Sequence, residues 1–359
     1  MQVRFNVVRQ SQTSGPRVQS YVLEVEPGNT ILDCLNRIKW EQDGSLAFRK
    51  NCRNTICGSC SMRINGRSAL ACKENVGSEL ARLQHISEIS LGQISEGARL
   101  NIVENKGGQD APPPPASKLP EITIAPMGNM PVVKDLVVDM SSFWNHLEAV
   151  EPYVSSNARH IPEREFLQTP EERAKLNQTG NCILCGACYS ECNGREVNPD
   201  FVGPHALAKA YRMIADSRDS KTEERVEKYN EGTSGVWGCT RCFYCNVVCP
   251  MEVAPLDQIS KIKHEILDRK DAVSSQPVRH RKLLLDLVKE GGWLNERKFA
   301  IKLFSYSFKA SQELIKLGPL GIRMLMRGKI PFSFEPSEGA PVVRKLIESV
   351  QNLDKKSID

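Results

Sequence analysis

The sequence lacks most of the marks of a membrane-spanning, nucleotide-binding or hydrolytic chain. No run of about 18 apolar residues occurs, the length a helix needs to cross a bilayer, and mean hydropathy is -0.37. No transmembrane helix is expected. Nowhere do two glycines stand at i and i+2, which excludes a G-x-G-x-x-G dinucleotide fingerprint, and neither G-x-x-x-x-G-K-S/T nor H-E-x-x-H is present. Charge of either sign is not in large excess: 48 basic against 43 acidic side chains leave +5, too mild to imply a nucleic-acid partner. Met1 to Val8 alternates like a strand and lacks the apolar block and cleavage site of a secretory signal, so the cytosol is the expected compartment. Disulfides are disfavoured there.

Cysteine is abundant, with 13 among 359 residues, and the residues cluster. In a reducing compartment clustered cysteines point to metal. Cys52, Cys57, Cys60 and Cys72 have the order C-x4-C-x2-C-x11-C, whose opening matches the plant-type pattern for a 2Fe-2S cluster. Asn65-Gly66, a strong hairpin signal, returns the chain so that Cys72 can close the site. Gly58 lets the loop backbone approach inorganic sulfide without a Cβ in the way. Arg49, Lys50, Arg53, Arg63 and Lys73 lie near in sequence and can offset the cluster's negative charge.

Cys182, Cys185, Cys188 and Cys192 form C-x2-C-x2-C-x3-C, and Cys239, Cys242, Cys245 and Cys249 repeat it with Pro250 following. In the bacterial ferredoxin arrangement the fourth cysteine of each run serves the other cluster. Cys182, Cys185, Cys188 and Cys249 would then hold one 4Fe-4S cluster, and Cys192, Cys239, Cys242 and Cys245 a second. The second becomes 3Fe-4S if Cys242 is not a ligand. Zinc is the competing reading, but zinc sites favour C-x2-C pairs separated by longer stretches. Cys34, inside the apolar Ile31 to Ile38 helix, is expected to be a buried structural thiol. The six histidines form no ligand pair, and surface or capping roles are expected for them.

The fold class read from these patterns is α+β. Residues 1–106 are expected to form a β-grasp ferredoxin-like domain, with strands at Val3 to Val8, Tyr21 to Val25, Ser61 to Ile64 and Arg67 to Ala71, and a helix starting at Asn29-Thr30. A proline-rich linker over 107–130, with Pro112 to Pro115 at its centre, leads to an all-α domain over 131–290 that carries both cubane sites. A helical extension follows over 291–359. Within it, residues 297–330 hold eight basic side chains and one acidic one, so the rest of the chain is about -2. Interleaved apolar residues suit this stretch either to an anionic membrane surface or to packing on the protein's own core.

A 2Fe-2S domain followed by a two-cluster helical domain resembles the iron-sulfur subunit of succinate dehydrogenase and fumarate reductase. Phe48-Arg49-Lys50-Asn51-Cys52-Arg53, Cys57-Gly58-Ser59-Cys60 and Ala69-Leu70-Ala71-Cys72 carry the resemblance. So does Val133-Lys134-Asp135-Leu136-Val137-Val138-Asp139 with Phe143-Trp144 behind it. The resemblance implies a non-flavin subunit of succinate dehydrogenase, peripheral on the cytoplasmic side of the membrane. It would take electrons from the FAD of a partner flavoprotein and pass them through three clusters toward a membrane-attachment or quinone-side subunit, and so indirectly to quinone.

Cys242 departs from the commonest members of that family, which hold 3Fe-4S at this point; the extra cysteine is similar to the branch called type E. Asn193-Gly194 after Cys192 and Thr240 after Cys239 replace side chains that help form the quinone pocket in those members, so no quinone site is carried over. A fumarate reductase or thiol:fumarate reductase would use nearly the same chain. The iron-sulfur subunit of a glycerol-3-phosphate or glycolate dehydrogenase fits less well, because of the plant-type N-terminal domain. A zinc-stabilised interaction module is the reading from a different class.

Overall fold

The computed structural model describes residues 1–92, 119–156, 165–269, 276–304, 318–328 and 334–356, except 231 and 233. The chain divides into two compact units, Met1–His264 and Glu265–Asp359.

The first unit opens with a seven-stranded sheet, β1 (Gln2–Ser11), β2 (Ser14–Glu24), β3 (Ser61–Ile64), β4 (Arg67–Leu70), β5 (Glu121–Ala125), β6 (Val132–Lys134) and β7 (Val137–Val138). Its order is β4-β3-β5-β1-β6-β7, with β2 also paired to β1. Alternation sends Val3, Phe5 and Val7 of β1 and Ile122 and Ile124 of β5 inward, where each is fully buried. Helix α1 (Ile31–Arg37) supplies Ile31, Leu32 and Leu35 to the same core. Each such side chain contributes about 1.5–3 kcal/mol. Thr30 caps α1 in a capping box with Asp33, so the helix begins where Asn29-Thr30 indicated. Cys34 is buried in this core, and burial pushes its thiol up to about 12.

Arg9 continues the inward face of β1 at 5% exposure. It is tolerated there because its Nε donates to Asp135 at 2.8 Å and its Nη1 to Asp43 at 2.5 Å. Asp135 also accepts from Ala47 N–H at 2.9 Å. Asp135 of the Val133–Asp139 motif therefore locks β1 to the approach to the first cysteine loop.

Three sequence expectations change. The sheet does not end near residue 106. β5, which falls in the expected 107–130 linker, pairs parallel with β1 and antiparallel with β3. Its alternating Ile122 and Ile124 were obscured by the prolines around them, while Pro112 to Pro115 themselves lie outside the described residues. Residues after Pro131 first form the strands β6 and β7, not helix. The loop expected between the first two strands is instead hairpin, Gln2 pairing with Glu24 and Ser11 with Ser14, because polar residues line its exposed face.

The rest of the first unit is helical. α2 (Val76–Gly92) follows β4; α3 (Ser141–Glu148), α4 (Pro170–Gly180), α5 (Ala187–Ser190), α6 (Asn193–Val197), α7 (Pro204–Ile214), α8 (Thr222–Tyr229) and α9 (Tyr244–Val247) pack beside the sheet domain, and α10 (Pro255–Asp268) follows. Asp219 and Arg225 form a buried ion pair at 3.0 Å under α8.

The second unit contains α11 (Gln276–Gly291), α12 (Glu296–Phe304), α13 (Gly318–Met326) and α14 (Ala340–Lys356). α11 and α14 are tied by Lys289 to Glu348 at 3.1 Å, and Trp293 Nε1 donates to Glu335 O at 2.8 Å. The boundary between the units, at His264 and Glu265, lies within α10 and not at residue 291.

Candidate metal centres

The loop from Cys52 to Cys60 bends through left-handed backbone at Arg53, Thr55 and Gly58. Such turns aim consecutive N–H groups inward, the concavity found around iron-sulfur and phosphate groups. Here the N–H of Asn54 lies 3.3 Å from Cys52 Sγ, and that of Thr55 3.3 Å from Cys72 Sγ. Cys72 reaches the loop because β3 and β4 return through Asn65-Gly66, both at positive φ. Burial pushes Cys57 up, but the Ser59 hydroxyl and backbone donors outweigh it and hold the thiol at about 6. Cys60 is deeper, and burial pushes it to about 12.

The two later runs repeat one another in three dimensions. After Cys182, residues Leu184 and Gly186 have positive φ; after Cys239, Arg241 and Phe243 do. Each turn feeds a short helix, α5 or α9. Cys182, Cys185, Cys188 and Cys249 line one cavity, walled by Ile183, Leu184, Met251 and Val253. Cys192, Cys239, Cys242 and Cys245 line another, with Phe201, Phe243, Leu256 and Ile259. The fourth cysteine of each run is thus brought to the cavity of the other.

The donor chemistry fits polynuclear clusters. The four thiols of each later set line one enclosed space with apolar walls. Burial pushes Cys185 to about 11, Cys245 to about 12 and Cys188 well above its usual range. Thiols so buried become thiolates when positive iron replaces the proton. Backbone N–H groups of Arg195 and Gly194 reach Cys192, and that of Val253 lies 3.3 Å from Cys249 Sγ.

The first two centres adjoin. Lys73, next to Cys72, donates to Pro250 O, next to Cys249, at 3.0 Å. A Cβ on Gly58 would stand 2.8 Å from Cys185 Cα. Gly58 is therefore required where two cysteine loops touch, a reason that sequence spacing did not reveal. Arg63 and Ser68 of the sheet bind the buried carboxylate of Glu191, at 2.6 and 2.7 Å, clamping the sheet to the end of α5.

A family model described as a 2Fe-2S iron-sulfur cluster binding domain matches residues 4–145, and one described as a 4Fe-4S dicluster domain matches 178–253. The chain is 34% identical to the Arabidopsis thaliana succinate dehydrogenase (ubiquinone) iron-sulfur subunit 3, mitochondrial, over 71% of each chain. It is 33% identical to the Escherichia coli fumarate reductase iron-sulfur subunit over 70% of this chain and 87% of that one. This chain belongs to the succinate dehydrogenase and fumarate reductase iron-sulfur subunit family. Another member, the Paracoccus denitrificans succinate dehydrogenase iron-sulfur subunit, is 34% identical over 74% of this chain and 88% of its own. A chain of the Mycobacterium smegmatis Sdh1 complex in the apo form shares the fold, with TM-score 0.58 and 23% identity over 75% of this chain and 97% of that one. As a family member, this subunit uses 2Fe-2S and 4Fe-4S clusters as cofactors.

Two residues near the centres escaped the sequence reading. His205, expected at the surface or in a cap, is 1% exposed. Its ring stacks on Phe143 at 4.0 Å, meets Tyr189 edge-on, and lines the Cys182 cavity. Burial holds it neutral, down to about 3. Arg195, three residues after Cys192, is buried as well. Neither position has a periodicity or spacing that marks it, since both depend on how α3, α5 and α7 converge. Cys242 is exposed.

Proposed function

We propose that this chain is the iron-sulfur subunit of a succinate dehydrogenase, a succinate:quinone oxidoreductase, relaying electrons from the FAD of a partner flavoprotein toward a membrane-attachment or quinone-side subunit. The observation that carries the reading is the direct contact of cysteine loops at Gly58 and Cys185, which joins the first two centres.

The ligand sets we assign are Cys52, Cys57, Cys60 and Cys72 for 2Fe-2S; Cys182, Cys185, Cys188 and Cys249 for 4Fe-4S; and Cys192, Cys239, Cys242 and Cys245 for a second 4Fe-4S, as in the type E branch. When bound, the clusters accept and release single electrons. The chain's own residues do the rest. Tunnelling falls steeply with distance, so the Gly58 contact and the Lys73 bridge shorten the first hop. The Arg63–Glu191 clamp keeps that distance fixed, and apolar side chains wall both cubane cavities, with Cys242 at the exposed side of the second.

The test is reduction of the isolated complex by succinate, followed by electron paramagnetic resonance. The reading predicts that succinate reduces part of the cluster population in a malonate-sensitive way. Clusters that respond to dithionite but never to succinate would refute it. A fumarate reductase remains the second reading, favoured by 33% identity to the Escherichia coli fumarate reductase subunit. We assign the basic extension to peripheral attachment at an anionic membrane surface, since Ile322, Met324 and Met326 are exposed beside Arg323 and Arg327. No helix among the described residues is long and apolar enough to cross a membrane. Replacing those three apolar residues with glutamate should abolish sedimentation with anionic vesicles; undiminished sedimentation would remove the assignment.

A further inference from the structure

Among the described residues three arginines are buried: Arg9, Arg195 and Arg225. Two have carboxylate partners, Arg9 with Asp43 and Asp135, and Arg225 with Asp219. Arg195 has none among the described residues. Its Nη1 donates to the carbonyls of Pro199 and, at 2.7 Å, Phe201. It also donates to His146 Nε2 at 3.2 Å, while Nδ1 of that imidazole donates to Ser142 O. The guanidinium lies 4.9 Å from the centroid of the Tyr189 ring, and its Nε is buried without a partner.

A guanidinium keeps its proton under all physiological conditions, and a buried unpaired charge is strongly unfavourable. Carbonyls and a ring face solvate a cation but do not neutralise it. Among the described residues no carboxylate forms an ion pair with it, although the Asp200 charge acts on its neighbour His146, so the guanidinium is left to balance a negative group close by. Arg195 lies one helical turn after Cys192, whose thiol it contacts through its backbone N–H. It also grips the carbonyl of Phe201, whose residue lines the same cavity as Cys192, Cys239, Cys242 and Cys245. That cavity is the one to which we assign the second 4Fe-4S cluster, and four thiolates around such a core leave it net negative, more so once reduced.

We propose that Arg195 is the charge partner of the second 4Fe-4S cluster and raises its reduction potential. The inference rests on the ligand assignment above. One electron arrives from the preceding centre and leaves toward the acceptor; Arg195 stabilises the added negative charge in between and neither gains nor loses a proton. A raised potential at this position favours drawing electrons to the exit end. Arg195 is a positioning and tuning residue, because it reaches the cluster through its field and through Phe201 and Cys192.

The test is a potentiometric titration of the anaerobically purified holo-chain, followed by electron paramagnetic resonance, in wild type and in Arg195→Gln, Arg195→Leu and Arg195→Lys. The cluster concerned is identified as the one whose signal Cys242→Ser alters. In the Gln and Leu variants the ratio of reduced to oxidised cluster at a fixed ambient potential should fall about tenfold, a shift of about 59 mV for one electron. The 2Fe-2S potential should stay put, and Arg195→Lys, which keeps the charge, should stay close to wild type. Equal shifts in Lys and Gln, or no shift in Gln and Leu at full iron content, overturn the proposal. Loss of the cluster in Lys as well as in Gln makes the role structural and overturns it too. A wild-type chain with no second cubane signal at all would instead refute the ligand assignment.

Discussion

Gly58→Ala tests whether the first two centres are held together as tightly as the backbone indicates. Two penalties combine at this residue. Its φ is +67, a conformation that a Cβ disfavours by about 1–2 kcal/mol. The added methyl would also stand 2.8 Å from Cys185 Cα and 2.9 Å from its Cβ, so one loop must retreat. Overpacking of this kind costs about 1–3 kcal/mol. Gly66→Ala is the control, because Gly66 has φ +77 yet open space around it. It carries the first penalty alone. With about 2–4 °C lost per kcal/mol for domains of this size, Gly58→Ala should unfold about 2–12 °C below Gly66→Ala in thermal scans of the holo-chain. A second readout is spin relaxation: the reduced 2Fe-2S signal should relax more slowly in Gly58→Ala, as its paramagnetic neighbour moves away. Identical unfolding temperatures and relaxation in the two variants would refute the close-contact argument.

Burial raises the Glu191 carboxyl, but Arg63, Ser68 and Ser190 outweigh it and hold the group below its usual range. Its folded value is thus below the unfolded one of about 4.3, so its contribution is complete above that pH and is lost as pH falls through the folded value. Arg63→Ala should destabilise the chain by about 1–3 kcal/mol near neutrality and flatten the acid limb of a stability–pH curve below about pH 4.3; an unchanged acid limb would count against the clamp. Ile122→Ala, in the strand that sequence reading assigned to a linker, should cost about 2–5 kcal/mol in a denaturant titration, and a loss under about 0.5 kcal/mol, the level of a surface change, would remove β5 from the core.

The metal chemistry was legible in the sequence because cysteine spacing is a local pattern. Nine residues separate Cys182 from Cys192, and the same turn geometry follows from the same spacing in the second run. The Asn65-Gly66 turn and the Thr30 cap were legible for the same reason. What depended on distant partners was not. β5 is a strand because Ile122 and Ile124 meet β1 and β3, far away in sequence. Arg9 looks like an ordinary strand charge until Asp43 and Asp135 arrive beside it. Gly58 reads as a loop glycine, but its constraint is Cys185. His205 and Arg195 occupy helical positions with no motif, and their burial follows from the convergence of helices around Phe143 and Tyr189.

We assign Cys242 to a second four-iron centre beside a 2Fe-2S and a first 4Fe-4S cluster. Iron and acid-labile sulfide analysis of anaerobically purified protein, with electron paramagnetic resonance of the same sample, tests it most directly. With Cys242 as a ligand, about ten irons and ten sulfides per chain are expected, with no stoichiometric 3Fe-4S signal in the oxidised state and a lost iron in Cys242→Ser. About nine irons with a full 3Fe-4S signal in the intact protein, or zinc without labile sulfide, would contradict it.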